Sequence, residues 1–304
     1  MKEGREAGLY ALGAAFVDGE ICPVWEARIP LVDLGFLHCD VCYDVVHVWK
    51  GSFFRLQEHL DRFERSYKGL GFSLPYDREQ IRKILLDMVG RSQLKDSYVY
   101  MGATRGLPKG DPRDILNYSH AFYAFAVPFI WIAEEEEQKI GIDLIVSTTR
   151  RIPKESVDPT IKNHHWGDLT RANMEALDKG AKTAVLLDAN GNVTEGPGFN
   201  VFVVKEGKLL TPDSNVLEGI TRLTVLELAE ALNIDGGLCK VPEEVLRAAD
   251  EIFLASTAGG VMPVKSLDDK PVGEGKPGSI TMKLREAYWK AHEEARYSTP
   301  VNYD

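Results

Sequence analysis

One kind of turn signal recurs in both halves of the chain, and it constrains the fold more than any other feature. Four X-Gly pairs lie between short apolar runs: Asp18-Gly19, Lys50-Gly51, Asn190-Gly191 and Glu206-Gly207. Such a pair is typical of a two-residue β-hairpin, because glycine readily adopts the positive φ that these turns need. The sequence therefore predicts antiparallel strands in each half.

The first half also contains helical patterns. Apolar residues recur at spacings of three and four from Leu56 and again from Ile81, as amphipathic helices require. A loop rich in glycine and proline covers residues 106–112. Strands are predicted over residues 12–17, 21–25, 45–49, 53–55, 97–104 and 120–127.

A run of four acids, Glu134 to Glu137, follows an apolar stretch and is typical of a solvated linker or a helix start, and less often of an interaction tail. The 304 residues are enough for about two domains, each with its own core. We therefore predict an α/β (α+β) fold with a smaller N-terminal α/β domain over 1–133 and a larger C-terminal domain over 134–304. In the second domain we predict an antiparallel meander with strands over 183–187, 201–205 and 208–211, a further strand over 251–255, and helices over 223–232, from Val245, and over 280–294.

Charge and hydropathy exclude several classes of protein. The formal net charge is −10, so no excess of Lys and Arg is present to bind a nucleic-acid backbone. The apolar run 121–133 is shorter than the roughly 20 residues of a membrane-spanning helix and contains Pro128. Residues 1–6 lack the apolar stretch of a secretory signal. We expect a cytoplasmic protein that binds neither nucleic acid nor membranes.

Metal and nucleotide signatures are incomplete. Cys39 and Cys42 form a C-x-x-C, but no second pair completes a zinc site, and four cysteines are too few for a disulfide framework. Gly273–Gly278 matches G-x-G-x-x-G in letters, yet no strand leads into it, so we interpret it as a loop. Adjacent His164 and His165 would point in different directions. We expect no metal.

Two segments have the composition of anion sites. Gly219-Ile220-Thr221 directly precedes the helix predicted from Leu223, where backbone N–H groups would face a phosphate. Thr221 could equally serve only as a helix cap. Thr257-Ala258-Gly259-Gly260 follows a strand, and its small residues would let a ligand approach the backbone. Each segment alone leaves both interpretations open.

A reactive centre needs more than an anion site. Lys162 follows apolar Ile161, and a buried lysine amine can act as a nucleophile toward an aldehyde, although composition does not single it out among the lysines. Glu195 is a lone carboxylate in an apolar, glycine-rich region. Burying it is costly without a cationic partner, and a pyridinium nitrogen would be such a partner.

These residues together resemble a known family. Lys162-Asn163, Glu195-Gly196 with Asn200, Gly219–Arg222 and Thr257–Gly260 follow in the order found in the class IV aminotransferases, the pyridoxal-phosphate enzymes of fold type IV. The resemblance runs from about Ala15 to Tyr288. It is closest to the (R)-selective amine transaminases, on the motifs Ala27–Leu31, Gly35–His38, Asp158–Asn163 and Trp166–Leu169.

The resemblance implies a role for each matching residue. Lys162 would be the covalent attachment point of pyridoxal 5'-phosphate and would carry the proton between substrate and cofactor. Glu195 would pair with the pyridine nitrogen, so that the ring can accept electrons. The phosphate would be held by Arg62, by the backbone of Ile220 and Thr221, and by the hydroxyls of Thr221 and Thr257.

The resemblance also implies a substrate pocket, lined by His38, Tyr43, Val45, Tyr98, Trp166 and Ala258. In the family a mobile arginine in the loop after Thr104-Arg105-Gly106 usually binds the carboxylate of the keto acid. Here this loop is shorter than the pattern, and Arg113 and Lys109 are its candidates. A lysine would bind as a point charge, without the two-pronged fork of arginine.

The implied protein is a homodimer, with active sites at the subunit interface, that moves an amino group from a primary (R)-amine or D-alanine to a keto acid in a ping-pong reaction. The alternative within the fold is a branched-chain or D-amino-acid aminotransferase. Two further alternatives are a lyase that eliminates pyruvate from aminodeoxychorismate and a protein that binds the cofactor without turnover. The presence of both Lys162 and Glu195 argues against the last of these.

Overall fold

A computed structural model describes residues 8–304, so the segment considered for a secretory signal lies outside the described residues. The elements of the first 130 residues are β1 (Ala14–Val17), β2 (Glu20–Pro23), α1 (Leu34–His38), β3 (Val41–Trp49), β4 (Ser52–Phe54), α2 (Leu56–Gly69), α3 (Arg78–Ser92), β5 (Ser97–Pro108) and β6 (Tyr118–Pro128). The remaining elements are α4 (Glu135–Ile140), β7 (Ile142–Val146), α5 (Gly167–Asp178), β8 (Thr183–Val185), β9 (Glu195–Gly196), β10 (Phe199–Lys205), β11 (Lys208–Pro212), α6 (Ile220–Ala231), β12 (Gly236–Cys239), α7 (Glu243–Arg247), β13 (Glu251–Ser256), β14 (Gly260–Leu267), β15 (Lys270–Pro271), α8 (Ser279–Ala291) and β16 (Ser298–Pro300).

The chain forms two compact units. Within the described residues, the first comprises 8–130, 161–164 and 294–304, and the second comprises 131–160 and 165–293. This division differs from the predicted domains in two places, because the segment that contains Lys162 and the last eleven residues group with the first unit. Backbone pairing explains both differences, since the 161–164 segment bridges to β3 and β16 pairs with β4.

The first unit is built on an antiparallel sheet in the order β16-β4-β3-β5-β6-β1-β2. The predicted hairpins are confirmed: Val17 pairs with Glu20 around Asp18-Gly19, and Trp49 pairs with Ser52. Helices α2 and α3 are likewise confirmed and cover one face of the sheet. Their apolar sides form the core with alternate residues of the strands, among them Cys42, Val46 and Val48 of β3.

The second unit is built on a mixed sheet in the order β12-β11-β10-β13-β14-β7-β8, with β9 and β15 paired at its side. The prediction of an antiparallel meander is wrong in part. β10 and β11 do pair antiparallel, but β8 pairs parallel with β7, and β12 pairs parallel with β11. The Asn190-Gly191 turn joins Leu187 to Val193 in a single bridge and does not place β8 beside β10.

Helices α6 and α8 pack against β13 and β14, and α5 packs against β8. The Gly273–Gly278 segment is a loop between β15 and α8, as predicted. All four cysteines are thiols. No helix within residues 8–304 has the length and apolar character to cross a membrane.

Candidate active site

Lys162 lies on the short 161–164 segment beside β3. Its carbonyl accepts a hydrogen bond from the Tyr43 N–H at 2.9 Å, and its N–H donates to Ser66 Oγ at 3.3 Å. The next residue, Asn163, forms an antiparallel bridge with Cys42. The half-buried side chain places Nζ 4.4 Å from the centroid of the Tyr43 ring. Main-chain hydrogen bonds therefore hold the backbone of this lysine on the edge of an aromatic surface.

That surface is a stack of rings across three strands, which we call the aromatic wall: Tyr43, Tyr100 and Phe125. The first two rings lie 5.4 Å apart and the second two 4.8 Å apart, nearly parallel in both cases. The Tyr100 ring crosses Gly102, where a Cβ would lie 2.5 Å from its hydroxyl oxygen. The Tyr100 hydroxyl and His164 Nε2 are 3.1 Å apart. A residue without a side chain thus makes room for the middle ring of the wall.

The predicted pocket residues of the first unit divide into two groups. Tyr43 and Val45 are buried on β3, and Val45 pairs in register with Tyr100. Tyr98 faces the same side of the sheet, two residues before Tyr100 on β5. The rest lie on the surface of this chain: His38 is exposed at the end of α1, and Lys109 and Arg113 are exposed on the loop between β5 and β6.

Arg62, predicted to bind phosphate, is buried on α2. Its Nε and Nη2 donate to the two carboxylate oxygens of Asp44 at 2.7 and 2.8 Å. His59 Nδ1 lies 2.7 Å from the same carboxylate. Burial alone would raise the pKa of Asp44, but the charge and hydrogen bonds of Arg62, helped by His59, hold it well below its usual value. Burial lowers the pKa of His59, although its hydrogen bond to Asp44 opposes the shift.

Glu195 is buried in β9 within a second group of charged side chains. Its Oε1 accepts from Arg151 Nε at 3.2 Å and from Nη2 at 3.1 Å. Arg151 Nη1 donates to Asp168 Oδ2 at 2.7 Å. Asp168 also accepts the N–H of Ile152 at 2.8 Å and that of Leu169 at 2.8 Å. One guanidinium is therefore held between two buried carboxylates.

The peptide groups of Leu217 connect Glu195 to the start of α6. Glu195 Oε2 accepts the Leu217 N–H at 2.9 Å, and Asn200 Nδ2 donates to the Leu217 carbonyl at 2.9 Å. Glu195 and Asn200 pair with each other across the β9–β10 hairpin. Gly219 is required next to them, because a Cβ there would lie 2.0 Å from Asn200 Oδ1. The hairpin that carries the carboxylate thus also positions the end of the helix.

The N-terminus of α6 has the form of an anion site. Gly219 is its N-cap and gives no side-chain hydrogen bond, so the first N–H groups, including those of Ile220 and Thr221, have no capping side chain. Thr221 Oγ1 lies 3.5 Å from the hydroxyl of fully buried Tyr288. The Tyr288 ring packs on Gly260, where a Cβ would lie 2.7 Å from it. Tyr288 thus contacts both segments that the sequence singled out as anion sites.

The remaining predicted residues lie in turns of the second unit. Thr257 and Ala258 occupy the turn between β13 and β14, where the Ala258 N–H donates to Ser256 Oγ at 3.1 Å. Trp166 is the N-cap of α5, and its ring lies 3.5 Å from a Cβ built on Gly198. Thr257 and Ala258 follow the end of β13 and Trp166 precedes the start of α5, and binding residues commonly lie on such connecting segments.

Sequence reasoning missed the residues that surround the charged groups. The sequence indicated that a buried Glu195 needs a cationic partner, and only a ligand nitrogen was considered for that role. In the structure Arg151 is such a cation. The signal was present, because a buried carboxylate demands a partner, but the sequence does not show which arginine reaches it. Asp168 was noted only within the Trp166–Leu169 motif. Asp44 alternates with the apolar residues of β3, and nothing local marks it as the partner of Arg62.

The donor set of each unit fits pyridoxal phosphate. The first offers a half-buried primary amine, and the second offers a buried carboxylate near a helix N-terminus that can take an anion. Within residues 8–304, no group of three or more His, Cys, Asp or Glu residues could hold a metal ion. The two sheets and this donor set define a fold type IV pyridoxal-phosphate enzyme.

Comparison with known proteins gives the family. Residues 41–267 match the model of Amino-transferase class IV. A putative branched-chain-amino-acid aminotransferase of Methanocaldococcus jannaschii is 30% identical over 90% of this chain and 94% of its own length. A D-alanine aminotransferase of Staphylococcus aureus is 28% identical over 90% of this chain and 96% of its own length.

Among solved structures, a branched-chain amino acid aminotransferase from T.th., crystallised with pyridoxamine 5'-phosphate, is 28% identical. It superposes with a TM-score of 0.89 over 96% of this chain and 99% of its own. The chain therefore belongs to the class IV aminotransferases, and its cofactor is pyridoxal 5'-phosphate.

Proposed function

We propose that this aminotransferase takes its amino group from a primary (R)-amine or D-alanine and passes it to a keto acid in a ping-pong reaction. The aromatic wall beside Lys162 carries the proposal. Its stacked rings offer an uncharged surface, 4.4 Å from the amine at the Tyr43 face, on which an apolar substituent can pack. The sequence motifs shared with (R)-selective amine transaminases support the same donor class.

When bound, the cofactor supplies an electrophilic aldehyde and a ring that accepts electrons. Lys162 would hold the cofactor through Nζ and would move a proton at the substrate carbon. Glu195 keeps the ring nitrogen protonated. Arg62, the backbone of Ile220 and Thr221, and the hydroxyls of Thr221 and Thr257 bind the phosphate.

The substrate is bound by residues that differ in kind. We propose that Tyr43, Val45 and Tyr98 bind the substrate, and that Trp166 and Ala258 are further substrate-binding residues. His38 contributes from the end of α1. Arg113 or Lys109 binds the carboxylate of the keto acid when the exposed β5–β6 loop that carries them folds over it.

A second candidate has specific support. The relatives at 28–30% identity are named branched-chain and D-alanine aminotransferases, and these names favour an amino acid as donor. An amino-acid donor carries its own carboxylate, so Arg113 or Lys109 would then have to bind it in both half-reactions. An (R)-amine needs this cation only for the acceptor.

We further propose that two copies form a homodimer. Four large apolar side chains lie exposed on and near α1: Leu31, Val32, Phe36 and Leu37. An apolar surface of this kind on one short stretch is typical of a protein interface, and symmetric pairing would bury it on both copies. A cytoplasmic location stays a prediction.

The first experiment records the visible absorption of the holoenzyme after single additions of amino donors, without an acceptor. The donors are (R)- and (S)-1-phenylethylamine, D-alanine and L-leucine. We expect the band of the bound cofactor to decline with the (R)-amine and D-alanine only. A decline led by L-leucine would instead assign the protein to the branched-chain enzymes.

The matched control replaces the lysine. Lys162→Ala should abolish covalent attachment of the cofactor and turnover, whereas Lys68→Ala, on the exposed end of α2, should leave both unchanged. If the Lys162→Ala protein still attaches the cofactor covalently, another lysine performs this role.

A further inference from the structure

Glu195, Arg151 and Asp168 form a hydrogen-bonded group of buried charges. Glu195, Arg151 and Asp168 are 6%, 9% and 8% exposed, and they contribute two carboxylates and one guanidinium. Arg151 is bonded to both acids, with N–O distances of 2.7 Å to Asp168 and 3.1 Å to Glu195. The three hydrogen-bonded groups together carry a formal charge of about −1, and the buried guanidinium of Arg222 attracts Glu195 electrostatically from outside this group.

Arg151 by itself would work against a protonated ring nitrogen. Its Nε and Nη2 orient the Glu195 carboxylate, but its positive charge also cancels the charge of that carboxylate. A pyridinium would then approach a neutral pair. Asp168 changes this balance. Its Oδ2 accepts a hydrogen bond from Nη1 of the same guanidinium, and its carboxylate adds one negative charge to the group.

The other buried guanidinium of the second unit does not replace Arg151. Burial lowers the pKa of Arg222, and Glu218 opposes this shift more strongly than Glu195 does. Its Nη2 donates to the carbonyl of Pro212. Arg222 attracts Glu195 through its charge, whereas Arg151 is the guanidinium that donates hydrogen bonds to the Glu195 carboxylate.

We propose that Asp168 is a positioning residue for the cofactor that acts through Arg151. It neutralises the guanidinium that orients Glu195, so that Glu195 keeps its charge for the protonated ring nitrogen of pyridoxal phosphate. Arg151 and Asp168 thus separate two tasks, since the arginine fixes the direction of the carboxylate and the aspartate preserves its charge.

The test compares two ligands that differ only at the ring nitrogen. Pyridoxal phosphate and its 1-deaza analogue, with C–H in place of nitrogen, are titrated into apoprotein, and the ratio of their dissociation constants measures the preference for the nitrogen. We expect Asp168→Asn to lower this preference about tenfold, because one charge is lost from a buried group. The same ratio measured for Glu195→Gln gives the preference of a site that lacks the carboxylate charge.

The decisive variant is Arg151→Met combined with Asp168→Asn. It removes one charge of each sign, so the preference for the nitrogen should return toward the wild-type value although a second residue has been lost. Arg151→Gln alone should leave the preference at or above the wild-type value. The melting temperatures of the apoproteins report separately on folding.

Two results would overturn the proposal. One is an Asp168→Asn protein whose preference stays within about twofold of the wild type. The other is a double variant no closer to the wild type than Asp168→Asn, which would make the group a packing element only. If Asp168→Asn fails to fold, Arg151→Gln tests the proposal instead. A preference for the ring nitrogen below the wild-type value in Arg151→Gln would overturn the proposal, because the proposal requires that loss of the arginine charge not weaken this preference.

Discussion

In each unit a buried guanidinium is hydrogen-bonded to buried carboxylates, Arg62 in the first and Arg151 in the second, and the two groups differ in charge. In the first unit, Arg62 donates two hydrogen bonds to Asp44, and burial lowers the pKa of His59. One cation meets one anion there. In the second unit, Arg151 lies between Asp168 and Glu195, so that one cation meets two anions.

The two groups therefore differ in how far their buried charges are balanced within the group. A balanced buried pair holds two elements together, here α2 and β3, and removing one partner leaves the other uncompensated. An unbalanced group retains a charge that a ligand of opposite sign can offset. The Glu195 group fits this second description, because two buried carboxylates share one hydrogen-bonded guanidinium.

The largest predicted loss of stability comes from breaking the balanced pair of Arg62 and Asp44. Asp44→Asn removes the charge that compensates Arg62 and should lower the free energy of unfolding by about 3–5 kcal/mol. Urea denaturation of the apoprotein measures this loss. Asp61→Asn is the matched control, because the ion pair of Asp61 with Arg78 lies at the surface, and it should cost less than about 1 kcal/mol. Equal losses in the two variants would contradict the distinction.

A smaller loss of apoprotein stability is expected in the unbalanced group. Glu195→Gln leaves Arg151 paired with Asp168, and the glutamine oxygen can still accept from Arg151. The amide NH₂ then faces the Leu217 N–H, which loses its acceptor, at a cost of about 1–2 kcal/mol. Urea denaturation with and without the cofactor separates this cost from weakened binding. A loss as large as that of Asp44→Asn would contradict the distinction between the balanced and the unbalanced group.

The pH dependence of stability tests the state of His59. Its pKa is lowered in the folded protein, so the unfolded chain binds its proton first, and stability declines as the pH falls below about 6.5, the usual histidine value. His59→Gln should reduce the decline between about pH 7 and pH 5. His120→Gln, on partly exposed β6, is the control. An unchanged slope in His59→Gln would contradict the assignment.

The smallest effect is expected at an exposed pair on α3. Lys83 and Asp87 form an ion pair one helical turn apart, with both side chains at least half exposed. Lys83→Ala should change the free energy of unfolding by less than about 0.5 kcal/mol, because solvent screens such pairs. This value gives the baseline for the other variants, and thermal unfolding at two salt concentrations measures it.

Elements with strong local signals were predictable. The X-Gly turns adopt positive φ at both positions in three of the four cases, Asp18-Gly19, Lys50-Gly51 and Glu206-Gly207, and the strands beside them pair in register. Helices α2 and α3 followed from their apolar spacing. Capping adds to this in α3, where Asp77 and Gln80 form a capping box.

Elements that depend on distant partners were missed. Helix α5 buries mainly small side chains, Ala172 and Ala176 beside Leu169, so its apolar stripe is weak. Strand β14 begins at Gly260 and contains Pro263, both of which argue against a strand locally. It forms because β13 and β7 pair with it on its two sides. The parallel pairing of β7 with β8 has no turn signal at all.

By itself the sequence determined the local turns, the amphipathic helices and the order of the motifs that place the chain among pyridoxal-phosphate enzymes. These depend on residues close together in the chain, where propensity and spacing act directly. Only the tertiary structure decided that Lys162 lies on the β3 side of the first unit, that Arg62 grips Asp44, and that Arg151 joins Glu195 to Asp168. Such partners are chosen by the desolvation of buried charge, which depends on the complete fold and not on sequence spacing.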